Sequence, residues 1–102
     1  MIRLLVAHRY PLLRDGLRAL TLESDDMEVV GEAERSSDVV RLAMTLNPDV
    51  VICDIDLPEA GGIEATRNLR LHFPNIWIIL MAKNEDEEGL FKAVKADRKS
   101  VV

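Results

Sequence analysis

A single cysteine, Cys53, stands in a chain of 102 residues, so no internal disulfide can form and a reducing cytoplasm is the natural setting. Long apolar runs are missing too. The longest, Ile76 to Ala82, is far too short to cross a bilayer. The opening residues, Met1 to Val6, hold one basic residue and no cleavage pattern, which excludes a secretory leader as their reading. Nor is there a basic excess. Thirteen Lys and Arg against eighteen Asp and Glu leave a formal net charge of −5, which argues against nucleic-acid binding through this stretch's own surface. Linkers, internal repeats and low-complexity tracts are not found. What remains to explain is a small soluble cytoplasmic domain with no membrane segment.

Hydrophobic residues make up 48% and charged residues 30%, an ordinary globular balance. The length suits one domain, 1–102, burying roughly 60–65% of its unfolded surface. Ile2 to Ala7 is apolar except for Arg3 and short enough for a buried strand. Met27 to Gly31, Val50 to Cys53 and Ile76 to Met81 repeat that pattern. Pro11 suits a first helical turn, and Leu13, Leu17 and Leu20 follow at helical spacing. Ser36, Ser37 and Asp38 offer N-caps for a helix through Val39, Val40, Ala43 and Leu46, which Asn47-Pro48 stops. Gly61-Gly62 opens a third helix carrying Ile63, Thr66 and Leu69, Asp86 to Ala96 gives a fourth, and Val101-Val102 begins a fifth strand.

Continuous apolar strands alternating with helices predict a parallel sheet covered on both faces, hence a doubly wound α/β sandwich. A βα unit takes about 22–25 residues. The expectation is therefore a sheet truncated near its fifth strand, with the last helix missing. The apolar face left there predicts self-association.

In such a sheet the chemistry lies outside the carboxyl ends of the strands. The third strand ends in Cys53-Asp54-Ile55-Asp56-Leu57-Pro58, placing Asp54 on that rim either as a cap for loop amides or as a site. Asp56 reads as a solvated loop acid. Cys53 faces the other side of the strand and reads as a buried inert thiol. Trp77 reads as core, or as a packing surface under a helix. The acids Glu85 to Glu88 suit the dipole of the fourth helix.

The run Asp54-Ile55-Asp56-Leu57-Pro58-Glu59-Ala60-Gly61-Gly62 resembles the phosphoacceptor segment of bacterial response-regulator receiver domains. Pro11 to Leu20 and Gly62 to Arg67 are similar to the first and third helices of the NarL/FixJ branch. The likeness runs from Ile2 to about Val102. It implies a flavodoxin-like (CheY-like) fold and a signalling module of a two-component transcription regulator rather than an enzyme. It also implies a histidine kinase as partner, and Asp54 as the carboxylate that attacks phosphorus with the help of Mg²⁺. The backbone carbonyl that joins the Mg²⁺ shell in that family maps to Asp56.

Several family positions are altered. The acidic pair that holds Mg²⁺ maps to His8 and Arg9, and a guanidinium cannot coordinate a metal. Arg9 either pairs with Asp54 or points to solvent, and His8 reads as a rim residue rather than a metal ligand. The switch Ser/Thr maps to Met81, which cannot hydrogen-bond a phosphoryl oxygen. The aromatic of the fifth strand maps to Val101 and a glycine to Asp97, and the pocket lysine falls past Val102; Lys83 reads as a surface lysine, with a substitute for the pocket lysine as the alternative.

The expectation is impaired or absent phosphorylation and no metal or other cofactor, with control by dimerisation, a partner or a ligand. DNA would be reached only through a C-terminal domain absent from this chain. Two alternatives stay open. In one, Asp54 still accepts phosphoryl, with Mg²⁺ held by Asp54 and Asp56. In the other, Asp54-x-Asp56 is the nucleophile motif of a small haloacid-dehalogenase-like phosphatase.

Overall fold

The structure, a computed structural model, describes residues 1–82 and the backbone of residues 100–101. In chain order it forms β1 (Ile2–Ala7), α1 (Pro11–Leu22), β2 (Met27–Ala33), α2 (Ser36–Leu46), β3 (Val50–Asp54), α3 (Gly62–His72), β4 (Trp77–Met81) and β5 (Ser100–Val101). Lys83, the acids Glu85 to Glu88, the helix read over Asp86 to Ala96, Asp97 and the side chain of Val101 lie outside the described residues.

The five strands pair in the order β2-β1-β3-β4-β5, every pair parallel. This is the doubly wound sheet that the apolar strands imply. Alternate residues of each strand face opposite layers. Leu5, Ala7, Val51, Cys53, Ile78 and Leu80 pack with Val39 and Ala43 of α2 and Ala65 and Leu69 of α3. On the other face Leu4, Val6 and Val29 pack with Leu17 of α1, while Val50 and Ile52 stay half-buried there.

Three local readings need correction. Ser36, Ser37 and Asp38 do not cap α2 with their side chains. The N-cap is Arg35, without a side-chain bond, and Ser36 is already helical. The first turn is served by the loop after β3 instead. Pro58 O accepts the Ser36 amide at 3.1 Å, and Glu59 Oε1 accepts the Ser37 amide at 3.2 Å. Ser36 Oγ in turn accepts the Ala60 amide at 3.0 Å.

Leu20 does not face inward; it is 66% exposed. Thr21, four residues beyond Leu17, takes the buried position by donating its hydroxyl to Arg18 O at 2.8 Å. Trp77 is not core, being 59% exposed, and among the described residues no helix covers it. It opens β4 one residue before the core position Ile78, so strand alternation turns it to the other face. There it lines a groove with Ile2, Pro48, Phe73 and Pro74 at the N-terminal ends of the strands.

Candidate functional site

Because all strands run parallel, their carboxyl ends share one edge. The strand order reverses between β1 and β3, and this switch point opens the crevice in such sheets. Asp54, last residue of β3, lies opposite Met81 at the end of β4. Ala7, at the end of β1, lies opposite Cys53, so the loop that follows brings His8 and Arg9 to Asp54.

Asp54 is 2% exposed. Its Oδ1 accepts the Asp56 amide at 2.9 Å, and its backbone carbonyl accepts the Leu57 amide at 3.1 Å. The carboxylate therefore does cap the loop. Its Oδ2 faces Arg9 Nε at 3.2 Å and His8 Nε2 at 3.7 Å. The first contact is not aligned as a hydrogen bond and the second is too long for one, so both Arg9 Nε and Asp54 Oδ2 are buried without such a partner. Arg9 Nη2 reaches Asp56 Oδ2 at 3.6 Å, and the guanidinium lies over the Tyr10 ring, 4.7 Å from its centroid. Of the two readings of Arg9, the structure takes the ion pair. Asp56 is a half-exposed loop acid as read, but one that shares Arg9 with Asp54.

His8 is buried, and its Nδ1 accepts the Tyr10 amide at 3.1 Å. An accepting Nδ1 puts the ring proton on Nε2, facing Asp54. Burial holds the His8 pKa below the usual 6.5, and the charges of Arg9 and Arg14 add to this while Asp54 opposes it. The imidazole is neutral at pH 7. Cys53 points into the layer of α2 and α3, where burial, aided by the Asp54 charge, pushes its thiol up to about 12. It is the inert thiol of the sequence reading.

Met81 and Ala82 join Tyr10 and Leu13 as walls of a pocket of about 230 Å³ whose polar floor is His8, Arg9 and Asp54. The donor set does not suit Mg²⁺, which prefers an octahedron of hard oxygens. Two carboxylates converge, but a guanidinium and a neutral imidazole occupy the positions beside the buried one. Among the described residues, no group of three or more His, Cys, Asp or Glu could hold a metal ion.

One residue of the site escaped the sequence reading. Arg14 is 7% exposed and donates from Nη1 to His8 O at 2.6 Å, from Nε to Glu32 at 3.0 Å and from Nη2 to Glu34 at 3.2 Å. Arg18 joins Glu32 at 2.8 Å. The signal was present: two arginines four apart on a helix face Glu32, on the next strand, and Glu34, just past its end, and a spacing of two keeps both glutamates on one side. This clamp fixes the loop that carries His8 and Arg9.

The family described as "Response regulator receiver domain" matches residues 4–102. Among curated relatives, the uncharacterized transcriptional regulatory protein YxjL of Bacillus subtilis (strain 168) is 35% identical over 95 residues, covering 93% of this chain and 44% of that protein. The response regulator GacA of Pseudomonas aeruginosa is 36% identical over 87 residues, covering 85% of this chain and 41% of that protein. A solved LuxR-family two-component response regulator from Aurantimonas sp. SI85-9A1 superposes with a TM-score of 0.90 at 30% identity, over 97% of this chain and 71% of that one. This chain thus spans under half the length of these two curated relatives. The family match sets aside the phosphatase reading of Asp54-x-Asp56. Among the described residues, no helix is long and apolar enough to cross a membrane. In sequence, strand order and the placing of an aspartate at the end of its third strand, the chain belongs to the response regulator receiver domain family.

Proposed function

We propose that this chain is the receiver module of a cytoplasmic two-component-type transcriptional regulator in which Asp54 is not charged with a phosphoryl group in the ordinary Mg²⁺-dependent way. The observation that carries this reading is the Arg9 guanidinium, 3.2 Å from Asp54 Oδ2. An incoming phosphoryl group must reach a carboxylate oxygen, and transfer between two anions needs a cation bridging both. Arg9 supplies a fixed charge but no open coordination position. Met81 stands in place of a hydroxyl and cannot donate to a transferred phosphoryl oxygen. The module turns over no substrate of its own and needs no cofactor. Control comes from dimerisation, a protein partner or a small ligand at the rim, with a histidine kinase as a possible contact. DNA is reached through a further domain of the kind that the relatives' greater length accommodates.

Intact mass after incubation with a small phosphodonor and excess Mg²⁺ tests this, beside Asp54→Asn and a competent receiver as positive control. The expected result is no added phosphoryl group on the wild type. One added group on the wild type alone overturns the proposal. The double variant His8→Asp/Arg9→Asp restores an acidic cluster around Asp54. Its melting temperature is expected to rise with millimolar Mg²⁺ while that of the wild type stays flat, since ligands that bind only the folded state stabilise it.

A further inference from the structure

Two arginines meet at the loop after β1, and they are held in different ways. Arg14, 7% exposed, has its guanidinium plane fixed by hydrogen bonds from three nitrogens, to His8 O, Glu32 and Glu34. Those bonds hold the loop backbone and leave the Arg9 side chain its own torsions. Arg9 has no such set among the described residues. Its Nε faces Asp54 Oδ2 at 3.2 Å without the alignment of a hydrogen bond, and its Nη2 stands 3.6 Å from Asp56 Oδ2, too far for one. Coulomb attraction to the two carboxylates draws the charge inward, but it depends on distance and fixes no plane. Holding a long side chain in one geometry also costs rotamer freedom.

What lies against the Arg9 guanidinium is a ring. Its Cζ sits 4.7 Å from the centroid of Tyr10, within the range at which a cation is attracted to the negative face of an aromatic. The Arg9 side chain is 27% exposed, so water screens this contact only in part. Tyr10 is itself fixed. Pro11 restricts the residue before it to extended backbone, and Tyr10 takes φ −94° and ψ 117° as the N-cap of α1. His8 Nδ1 accepts the Tyr10 amide at 3.1 Å, and the two rings stand 5.5 Å apart at 43°. The run His8-Arg9-Tyr10-Pro11 thus sets a fixed ring beside a flexible cation through contacts of its own.

We propose that Tyr10 is a positioning residue of the Asp54 site, holding the Arg9 guanidinium against the carboxylate through its ring face. The inference rests on the proposed function only in taking Arg9 as the group that occupies Asp54, and it adds the residue that keeps Arg9 there.

Exchange of the Arg9 Nε–H with water, read by ¹⁵N-resolved NMR at one pH, tests this in the wild type, Tyr10→Phe, Tyr10→Leu and a protein with pentafluorophenylalanine at position 10. Phenylalanine keeps the ring face, and leucine keeps apolar bulk without it. The fluorinated ring keeps the shape and reverses the charge of the face. The Asp56 amide, bonded to Asp54 Oδ1 at 2.9 Å, gauges whether the Asp54 loop is intact. Exchange should quicken about five- to thirtyfold in Tyr10→Leu and with the fluorinated ring, the span of a partly to fully desolvated cation–π contact. Tyr10→Phe should stay within about twofold of the wild type, and the Asp56 amide should stay protected throughout. Three outcomes would overturn the proposal: equal exchange in all four proteins, a fluorinated ring that protects as well as phenylalanine, or a quickening matched by loss of Asp56 protection. Should Tyr10→Leu fail to fold, the two phenylalanine rings alone decide. No phosphodonor or Mg²⁺ enters this experiment, so its failure leaves the mass measurement of Asp54 standing, and the reverse holds as well.

Discussion

With its Nδ1 taking the Tyr10 amide and its ring buried, His8 is held as the neutral imidazole in the folded chain. Unfolded, the same group takes a proton near the ordinary 6.5; folded, it does so only at lower pH. In the interval the unfolded state binds more protons, so stability rises with pH there. This contribution is complete above about pH 6.5 and is lost as pH falls toward the lower, folded value. Urea midpoints of the wild type should decline over that interval on acidification, and those of His8→Asn should decline less. Equal slopes for the two proteins would remove His8 as the source. Asp54 and its neighbourhood show what the sequence offers at this scale. Residue types alone placed a fixed cation beside a carboxylate, but left open whether Arg9 turned inward. That choice rests on the Arg14 contacts to His8 O, Glu32 and Glu34, which join residues 6 to 20 positions apart, so their signal lies in matching two elements and not within either one.

Among the elements, the strands and three described helices were legible because each carries its own apolar run or stripe. The terminal residues were not, because their partners come from elsewhere in the chain. Glu59, at φ 78°, reaches across to the Ser37 amide, so α2 starts under the control of the loop after β3 and not of its own serines. Two glycines separate local from tertiary demands. Gly16 sits in the exposed middle of α1, where an added Cβ meets nothing within 4 Å. Gly62 begins α3 against the β3 backbone, where a Cβ would run into the Asp54 carbonyl.

Gly16→Ala is therefore expected to stabilise by about 0.5–1 kcal/mol through helix propensity. Gly62→Ala should destabilise by roughly 1–3 kcal/mol, toward the upper end because the obstructing atoms are backbone. Urea unfolding of the pair checks both signs. A neutral Gly62→Ala would mean that the Asp54 loop yields easily, and the close approach of α3 would then not be what positions the carboxylate.

For the molecule as a whole, the apolar strands foretold a sheet with two covered faces, and in this respect the two faces differ. Val51, Cys53, Ile78 and Leu80 are fully buried under α2 and α3. Their strand neighbours on the α1 side, Val50, Ile52 and Ile79, are only half-buried. The hydrophobic contribution of a side chain scales with the area it loses to the interior, and the cost of truncation grows with the cavity left behind. Ile78→Ala on β4 should therefore cost about 2–5 kcal/mol, whereas Ile52→Ala on the adjacent β3 should cost roughly half as much. Both residues sit mid-strand in the same pair of central strands, so backbone context is matched and the face is the variable. Urea denaturation with an unchanged m-value measures each loss. Equal costs would mean that the α1 face is as well packed as the other and that Ile52 is held by more than its exposure shows. The expected inequality would place the stability of the domain on the α2–α3 side, leaving the face that adjoins His8, Arg9 and the Asp54 pocket as the one that a partner or ligand can tighten at least cost.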